Sequence, residues 1–291
     1  MTIKQRKFYP EIQRTASKNS KIYQRLSFFL ISANLIVLVL AAFAGAFNFS
    51  YFSFAYPKSS LLVLSILIAY FSSLLHLKQK WYASRSLSET VKSLTWRYYA
   101  QALPFGDSDI ESGEAFHQSI SLACTESNHL IGHEKFKVTR LDSSMDISIY
   151  TFEQKAAFYT SERLRRQLAW YTEKSRTNRS MGLVCLWIFV LCNCIAVYFS
   201  IQEESGDSGS MSAIFIAIAT AFLGWIEAKK YDELAAAYRL TKCEIEKVIL
   251  DVHLISNDLE LSRFVTEAEG LFSREHTQWA AKRGYIRATA L

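Results

Sequence analysis

Four runs of mostly apolar residues carry the strongest pattern in the chain. They cover residues 26–47, 59–77, 180–202 and 208–226, and none contains Asp, Glu, Lys or Arg. Each run has about 19 to 23 residues, long enough as a helix to cross a hydrocarbon core of roughly 30 Å. The short gaps within each pair make two membrane hairpins. The pattern therefore predicts an all-α integral membrane protein: two tandem transmembrane helical hairpins with long cytoplasmic helical extensions that form a bundle.

Outside the runs the apolar spacing is helical. Tyr231, Leu234, Tyr238, Thr241, Ile245, Val248, Val252 and Ile255 are spaced alternately three and four apart, a heptad seam with one polar member. No Pro or Gly separates this seam from the fourth run, so one continuous helix is expected from near Ser212 to about Ile255. The seam is a candidate assembly surface, within one chain or between chains. Leu77, Trp81, Ser84, Leu87, Val91, Leu94 and Tyr98 mark a similar face that ends before Pro104-Phe105-Gly106, a helix stop. Arg85 and Glu89 lie one turn apart and can pair on its side.

An amphipathic helix is expected through Phe116, Ile120 and Cys124, followed by a polar connection from Gly132 to Ser144. Another helix should begin near Met145 and run, with a bend, through the basic stretch Arg163 to Arg179 into the third run. Ser256-Asn257-Asp258 should cap a final helix carrying Phe264, Ala268, Leu271, Phe272 and Trp279.

The hairpins read as repeats. Asn19 and Asn178 precede their spans in similar settings, and the same offset of 159 residues carries Asn34 onto Asn193. At the exits, Lys80-Trp81 corresponds to Lys230-Tyr231. Three coincidences at matching places argue for a duplicated unit. The units are assigned to residues 1–110 and 145–291, with a connector at 111–144.

Charge sets the orientation. Of 33 Lys and Arg, seven precede the first run, fifteen lie between the second and third, and ten follow the fourth. The two short loops contain only Lys58, so both termini and the central region are expected in the cytoplasm. The formal charge of +6 then reflects topology and contact with anionic headgroups; nucleic acid is not an expected partner. The apolar run after the first 25 residues is much longer than the apolar core of a signal peptide and has no well-placed cleavage site, so it is expected to stay as an anchor. Five cysteines match no zinc or redox spacing and read as packing residues.

Candidate chemistry is sparse. The six histidines form no ligand pattern; His129 and His133 are four apart but Gly132 lies between them. No phosphate-binding glycine loop or nucleophile motif occurs, so no enzyme activity, cofactor or metal is expected. Asn34 and Asn193 lie near mid-membrane, where an amide needs a partner; they serve either helix register or a pore lining. Charged rings, which line many selective channels, are missing from all four runs. Trp81 and Tyr82 read as interfacial anchors. Trp96, Arg97, Tyr98, Tyr99, Trp170 and Tyr171 are too far from the spans for that and should pack among helices, or form a cleft for an anionic ligand.

The segment from Lys80 to Tyr98, including Trp81, Arg85, Glu89, Lys92 and Trp96 and followed by Pro104-Phe105, resembles the post-hairpin motif of one SLATT subfamily. Arg163-Leu164, Gln167, Trp170-Tyr171, Lys174 and Asn178 resemble the leading motif of a second SLATT subfamily. SLATT domains are two-span bacterial membrane effectors associated with nucleotide-messenger synthetases and nucleotide sensors. The resemblance implies an inner-membrane effector of a conflict system, forming pores or disrupting the membrane as a homo-oligomer when a nucleotide-signalling or sensor protein triggers it. The alternative is a non-lytic module, either a small channel or a scaffold for a soluble partner.

Overall fold

The computed structural model describes residues 8–47, 57–105, 109–131, 151–204 and 211–282. Among these residues every regular element is helical. In chain order they are α1 (Glu11–Ala46), α2 (Pro57–Leu74), α3 (Leu77–Tyr99), α4 (Asp109–Ile131), α5 (Phe152–Tyr159), a π turn (Thr160–Leu164), α6 (Arg165–Glu204), α7 (Met211–Lys229), α8 (Tyr231–Asp251), a 3-10 turn (Val252–Leu254) and α9 (Asp258–Lys282). The expected polar connection from Gly132 to Ser144, and a helix start at Met145, lie outside the described residues.

Among the described residues four helical stretches are long and apolar enough to cross a membrane: Glu11–Ala46, Pro57–Tyr99, Phe152–Glu204 and Met211–Leu254. Only 11 to 17% of their most apolar windows is buried inside the protein, the reverse of a soluble core. Large side chains such as Phe29, Ile66, Phe71, Trp187 and Leu191 are exposed along them. Apolar faces of that extent need hydrocarbon around them. The protein is an all-α membrane protein.

The chain folds into two compact units, each assembled from separate segments. One comprises Met1–Gln24, Lys78–Thr172 and Arg239–Leu291; the other comprises Arg25–Leu77 and Glu173–Tyr238. The second unit contains all four apolar runs, and the first gathers the polar flanks.

Two helix junctions depart from the continuous helices expected from the pattern. The fourth apolar helix is not unbroken to Ile255, because Lys230 takes a left-handed backbone with φ of 55° between α7 and α8. The second has the same break at His76, with φ of 47°, between α2 and α3. Neither break uses Gly or Pro, so composition gave no sign of it. The break at His76 lies four residues before Lys80, the residue that the sequence pattern paired with Lys230. On the stretch where the sequence pattern allows a bend, a π turn spans Thr160–Leu164. It inserts one residue into the helical ladder and re-aims the side chains that follow.

The first unit has a continuous apolar core. Ile12 and Ala16 of α1, Ala83, Leu87 and Val91 of α3, Phe105, and Phe116, Ile120 and Cys124 of α4 form one buried cluster. The α4 face is the one its spacing predicts. The final helix is capped as expected: Asn257 Oδ1 accepts from the Glu260 backbone N–H at 2.9 Å, and Glu260 accepts from the Ser256 hydroxyl at 2.7 Å. Hydrogen bonding from Ser256 lowers the Glu260 carboxyl pKa.

In the second unit, close approach of α6 and α8 depends on Gly182. A Cβ there would sit 3.1 Å from the Tyr231 Cβ and 3.3 Å from an Asp232 carboxylate oxygen. Lys229 lies 3.4 Å from the Phe28 ring centroid and 4.8 Å from that of Trp225.

The α8 seam is largely covered within the single chain. Tyr231, Tyr238, Thr241 and Ile245 are buried, and Leu234, Val248 and Val252 are half-buried.

Candidate functional site: a cationic cleft in the polar unit

A cleft of about 430 Å³ opens in the first unit. Three segments build it. The start of α1 contributes Gln13, Ser17, Ser20, Lys21 and Gln24, with Tyr9 just before it; α3 contributes Trp81, Arg85, Ser88, Glu89 and Lys92. The π turn and α6 contribute Glu162, Arg163, Arg166, Gln167, Trp170 and Tyr171. Positions 81, 85, 88, 89 and 92 fall on one helical face by three- and four-residue steps, as do 163, 166, 167, 170 and 171. The helical period therefore presents both motifs to a common space.

The wall behind the cleft is a buried polar network. Arg163 Nε donates to Glu269 Oε1 at 2.7 Å, and its Nη2 donates to Oε2 at 2.7 Å. Arg163 is 2% exposed and Glu269 is fully buried. The Tyr159 hydroxyl donates to the same Glu269 carboxylate at 2.8 Å. The donors around Gln167 assign its amide orientation: with the oxygen turned towards them it accepts from Arg163 Nη1 at 2.6 Å and from Lys92 Nζ at 3.0 Å. Lys92 also pairs with Glu89 at 3.3 Å. On the outer side Arg166 pairs with Glu162 at 2.7 Å, with both partners partly in solvent.

These contacts shift the titrations. Burial opposes the Arg163 charge, but the Glu269 carboxylate beside it holds the guanidinium pKa above its ordinary value. Burial lowers the Lys92 pKa, while the neighbouring Glu89 partly offsets that shift. Burial pushes Tyr9 up to about 12, against the opposing field of Arg163. Tyr159 lies well above the ordinary phenol value, from burial and then from Glu269.

Of the motif residues named from sequence, Trp81, Arg85, Glu89, Lys92, Arg163, Gln167, Trp170 and Tyr171 all line this cleft. Trp96 lies behind it, donating its indole N–H to Tyr9 Oη at 2.9 Å. Lys174 and Asn178 belong to the other unit, where the Asn178 amide donates to the Lys174 carbonyl at 2.7 Å. Trp81 and Tyr82 are not interfacial anchors. They are 7% and 5% exposed and stacked on each other, so neither ring is free to lie among headgroups.

Glu269 was missed by sequence reasoning, although a signal exists. It interrupts the apolar face of α9 formed by Leu261, Val265, Ala268 and Phe272. A carboxylate in that position requires a buried cation. The Arg163 guanidinium supplies it and also stacks 4.5 Å from the Phe272 ring centroid.

The two intramembrane asparagines behave differently. Asn34 Oδ1 accepts from the Ser65 hydroxyl at 2.7 Å, tying the two spans of the first hairpin together. The Asn193 amide donates to the Phe189 carbonyl of its own helix at 2.8 Å. Among the described residues no cluster of His, Cys, Asp and Glu has metal-binding geometry.

Residues 10–146 match the profile of SMODS and SLOG-associating 2TM effector domain 3, and residues 159–279 match that of domain 1. No curated protein and no solved structure matches the chain.

Proposed function

We propose, from the premise that this chain is a tandem of two SMODS and SLOG-associating 2TM effector domains, that it permeabilises the bacterial inner membrane in response to a signal. Such domains are membrane effectors of conflict systems, and the tandem supplies four membrane-compatible helices in one chain. The observation that carries this reading is the form of those helices. Their apolar runs carry no Asp, Glu, Lys or Arg, are outwardly apolar and are continuous in sequence with a polar unit that holds an open cleft. A lesion made by such helices discriminates poorly among ions, since no charged ring selects them.

The Lys and Arg distribution supports a cytoplasmic position for both termini and residues 78–179. The polar unit is therefore the part accessible to an infection-linked trigger. Several copies act together, through the exposed apolar faces of the spans, since the α8 seam is already largely covered within one chain. Abortive-infection cell death is the expected outcome.

Induced expression in bacteria, followed with a membrane-potential dye, tests the reading. Depolarisation and growth arrest are expected when the protein is triggered by phage challenge alongside its genomic neighbours. Both should be lost when a charge is placed at Leu191 in the third span. A protein that reaches the membrane yet leaves the potential unchanged under these conditions is instead a non-lytic scaffold or channel.

A further inference from the structure

We propose that α1, where it enters the membrane, and α7, where it leaves, form a seat for the phosphate of an anionic phospholipid. Arg25 and Lys229 hold one lipid per chain. The proposal goes beyond the effector reading and needs only that the apolar helices span a bilayer. Its geometry belongs to the second unit alone.

Position comes first. Arg25 directly precedes the first apolar run, and Lys229 lies three residues beyond the end of the fourth. The two helices are antiparallel neighbours. A Cβ at Gly224 would sit 3.3 Å from Leu35 Cδ2, and Lys229 Nζ lies 3.4 Å from the Phe28 ring centroid. Moving forward along α7 from Gly224 to Lys229 therefore moves back along α1 from Leu35 to Phe28, and the helices reach their polar ends side by side. Arg25 is one turn before Phe28, and a helical side chain leans towards the N-terminus over the preceding turn. The two cations thus flank one ring. Trp225 stands 5.9 Å from that ring, the residue type favoured at headgroup depth.

The second argument is what these cations lack. Among the described residues neither Arg25 nor Lys229 joins an ion pair or donates a hydrogen bond. The adjacent Lys230 differs, pairing with Glu227 at 3.0 Å and Glu233 at 3.2 Å. Lys229 instead lies over two rings, Phe28 and, at 4.8 Å, Trp225. Their negative faces attract and place the ammonium, yet they leave N–H donors unused. Arg25 keeps its whole guanidinium fork, a shape that matches two phosphate oxygens. The acceptor abundant at this depth is the lipid phosphate.

The third argument separates a lipid from a soluble phosphate. Phe29 and Ile36 continue the Arg25 face of α1 at helical spacing and are 64% and 58% exposed. An acyl chain below a phosphate at Arg25 runs along them, whereas a soluble ester leaves them unused. Choline lipids also carry phosphate, but their trimethylammonium group meets two cations. A headgroup of net negative charge is therefore preferred. A phosphate bound by both cations holds the first span against the fourth.

Native mass spectrometry of the full-length protein in a non-ionic detergent, titrated with phosphatidylglycerol or phosphatidylcholine, provides the test. One phosphatidylglycerol per chain should bind about tenfold more tightly than phosphatidylcholine. Arg25→Gln and Lys229→Gln each remove one charge and should each weaken that binding about tenfold, the loss of one charge-assisted contact. Lys229→Arg keeps the charge and should retain it. Arg179→Gln removes an exposed cation directly before the third apolar run, as Arg25 precedes the first, and should leave binding unchanged. An equal loss there would mean diffuse surface charge, and the proposal falls. It falls too if the two lipids bind alike. Glycerol 3-phosphate separates the two sources of phosphate: if it displaces phosphatidylglycerol at equal concentration, the site takes a soluble ester and the lipid proposal is overturned. The membrane-potential experiment keeps the two readings apart. Selective binding by a protein that leaves the potential unchanged sinks the effector reading alone, whereas depolarisation with unselective lipid binding sinks the lipid site alone.

Discussion

Arg163 and Glu269 lie 106 positions apart and meet as a two-point ion pair, both contacts at 2.7 Å, with almost no exposure of either side chain. The pair joins the π turn before the third span to the last helix. It also fixes the face of Arg163 that accompanies the cleft. Removing one member leaves a buried charge without compensation, at a cost of about 3–5 kcal/mol. Glu269→Ala and Arg163→Met should therefore each lower the thermal unfolding midpoint of the detergent-solubilised protein substantially. A combined Arg163→Met, Glu269→Leu variant should recover most of the loss, because two apolar groups replace two desolvation penalties. If the double variant is as unstable as the sum of the singles, the pair is not the source of the effect. Tyr159→Phe should cost only about 1 kcal/mol, since it removes one of three donors to the carboxylate.

Asn34 and Asn193 separate two meanings of a polar residue in a span. Asn34 bonds across the hairpin to Ser65, whereas the Asn193 amide bonds its own helix. An interhelical hydrogen bond in lipid contributes roughly 0.6–2 kcal/mol. Asn34→Leu and Ser65→Ala should each destabilise by an amount in that range, and a double-mutant cycle should return most of it as coupling energy. Asn193→Leu should show no coupling to any residue of another helix. Coupling near zero for Asn34 and Ser65 in such a cycle would remove the hydrogen bond as a link between the spans.

His76 and Lys230 hold left-handed backbone at the exits of the two hairpins. For a side chain with a Cβ this conformation costs about 1 kcal/mol or more, and Gly avoids the cost. His76→Gly should raise the unfolding midpoint. Lys230→Gly should do so less, because it also removes contacts at 3.0 Å to Glu227 and 3.2 Å to Glu233. Those pairs are exposed and contribute little. β-branched substitution at either position should destabilise the protein, since valine tolerates positive φ poorly. If valine were accepted at both sites, the breaks would have no role in the fold.

The spans and the α4 face of Phe116, Ile120 and Cys124 were legible in the sequence because each is a local pattern of period 3.6 or a run of sufficient length. The breaks at His76 and Lys230 were not, since neither positive φ falls on Gly or is followed by Pro. Half of the candidate site was legible as two motifs, one around Trp81–Trp96 and one around Arg163–Tyr171. That both face one cleft was not, because their apposition depends on the tertiary fold. The α1 residues Ser17, Lys21 and Gln24 carried no signal at all: polar residues before a span look like ordinary solvated helix.

Lys92 gives a pH test with a definite sign. Burial holds its pKa below the ordinary lysine value of about 10.4, while Glu89 acts in the opposite direction. The charged groups that bear on it are Glu89 on its own helix, Arg163 from the π turn and Glu269 from α9. The Gln167 oxygen accepts its proton at 3.0 Å. Between the folded and unfolded pKa values the unfolded chain binds more protons at this site, so stability rises with pH. Below the folded value both states carry the proton and the dependence vanishes. The unfolding midpoint of the wild type, minus that of Lys92→Met, should therefore become more positive from neutral pH towards about 10. The tyrosines and cysteines titrate in both proteins and cancel in the difference. A midpoint difference that stays flat or falls with pH would mean that Lys92 is as well solvated as a free lysine and takes no part in the buried network.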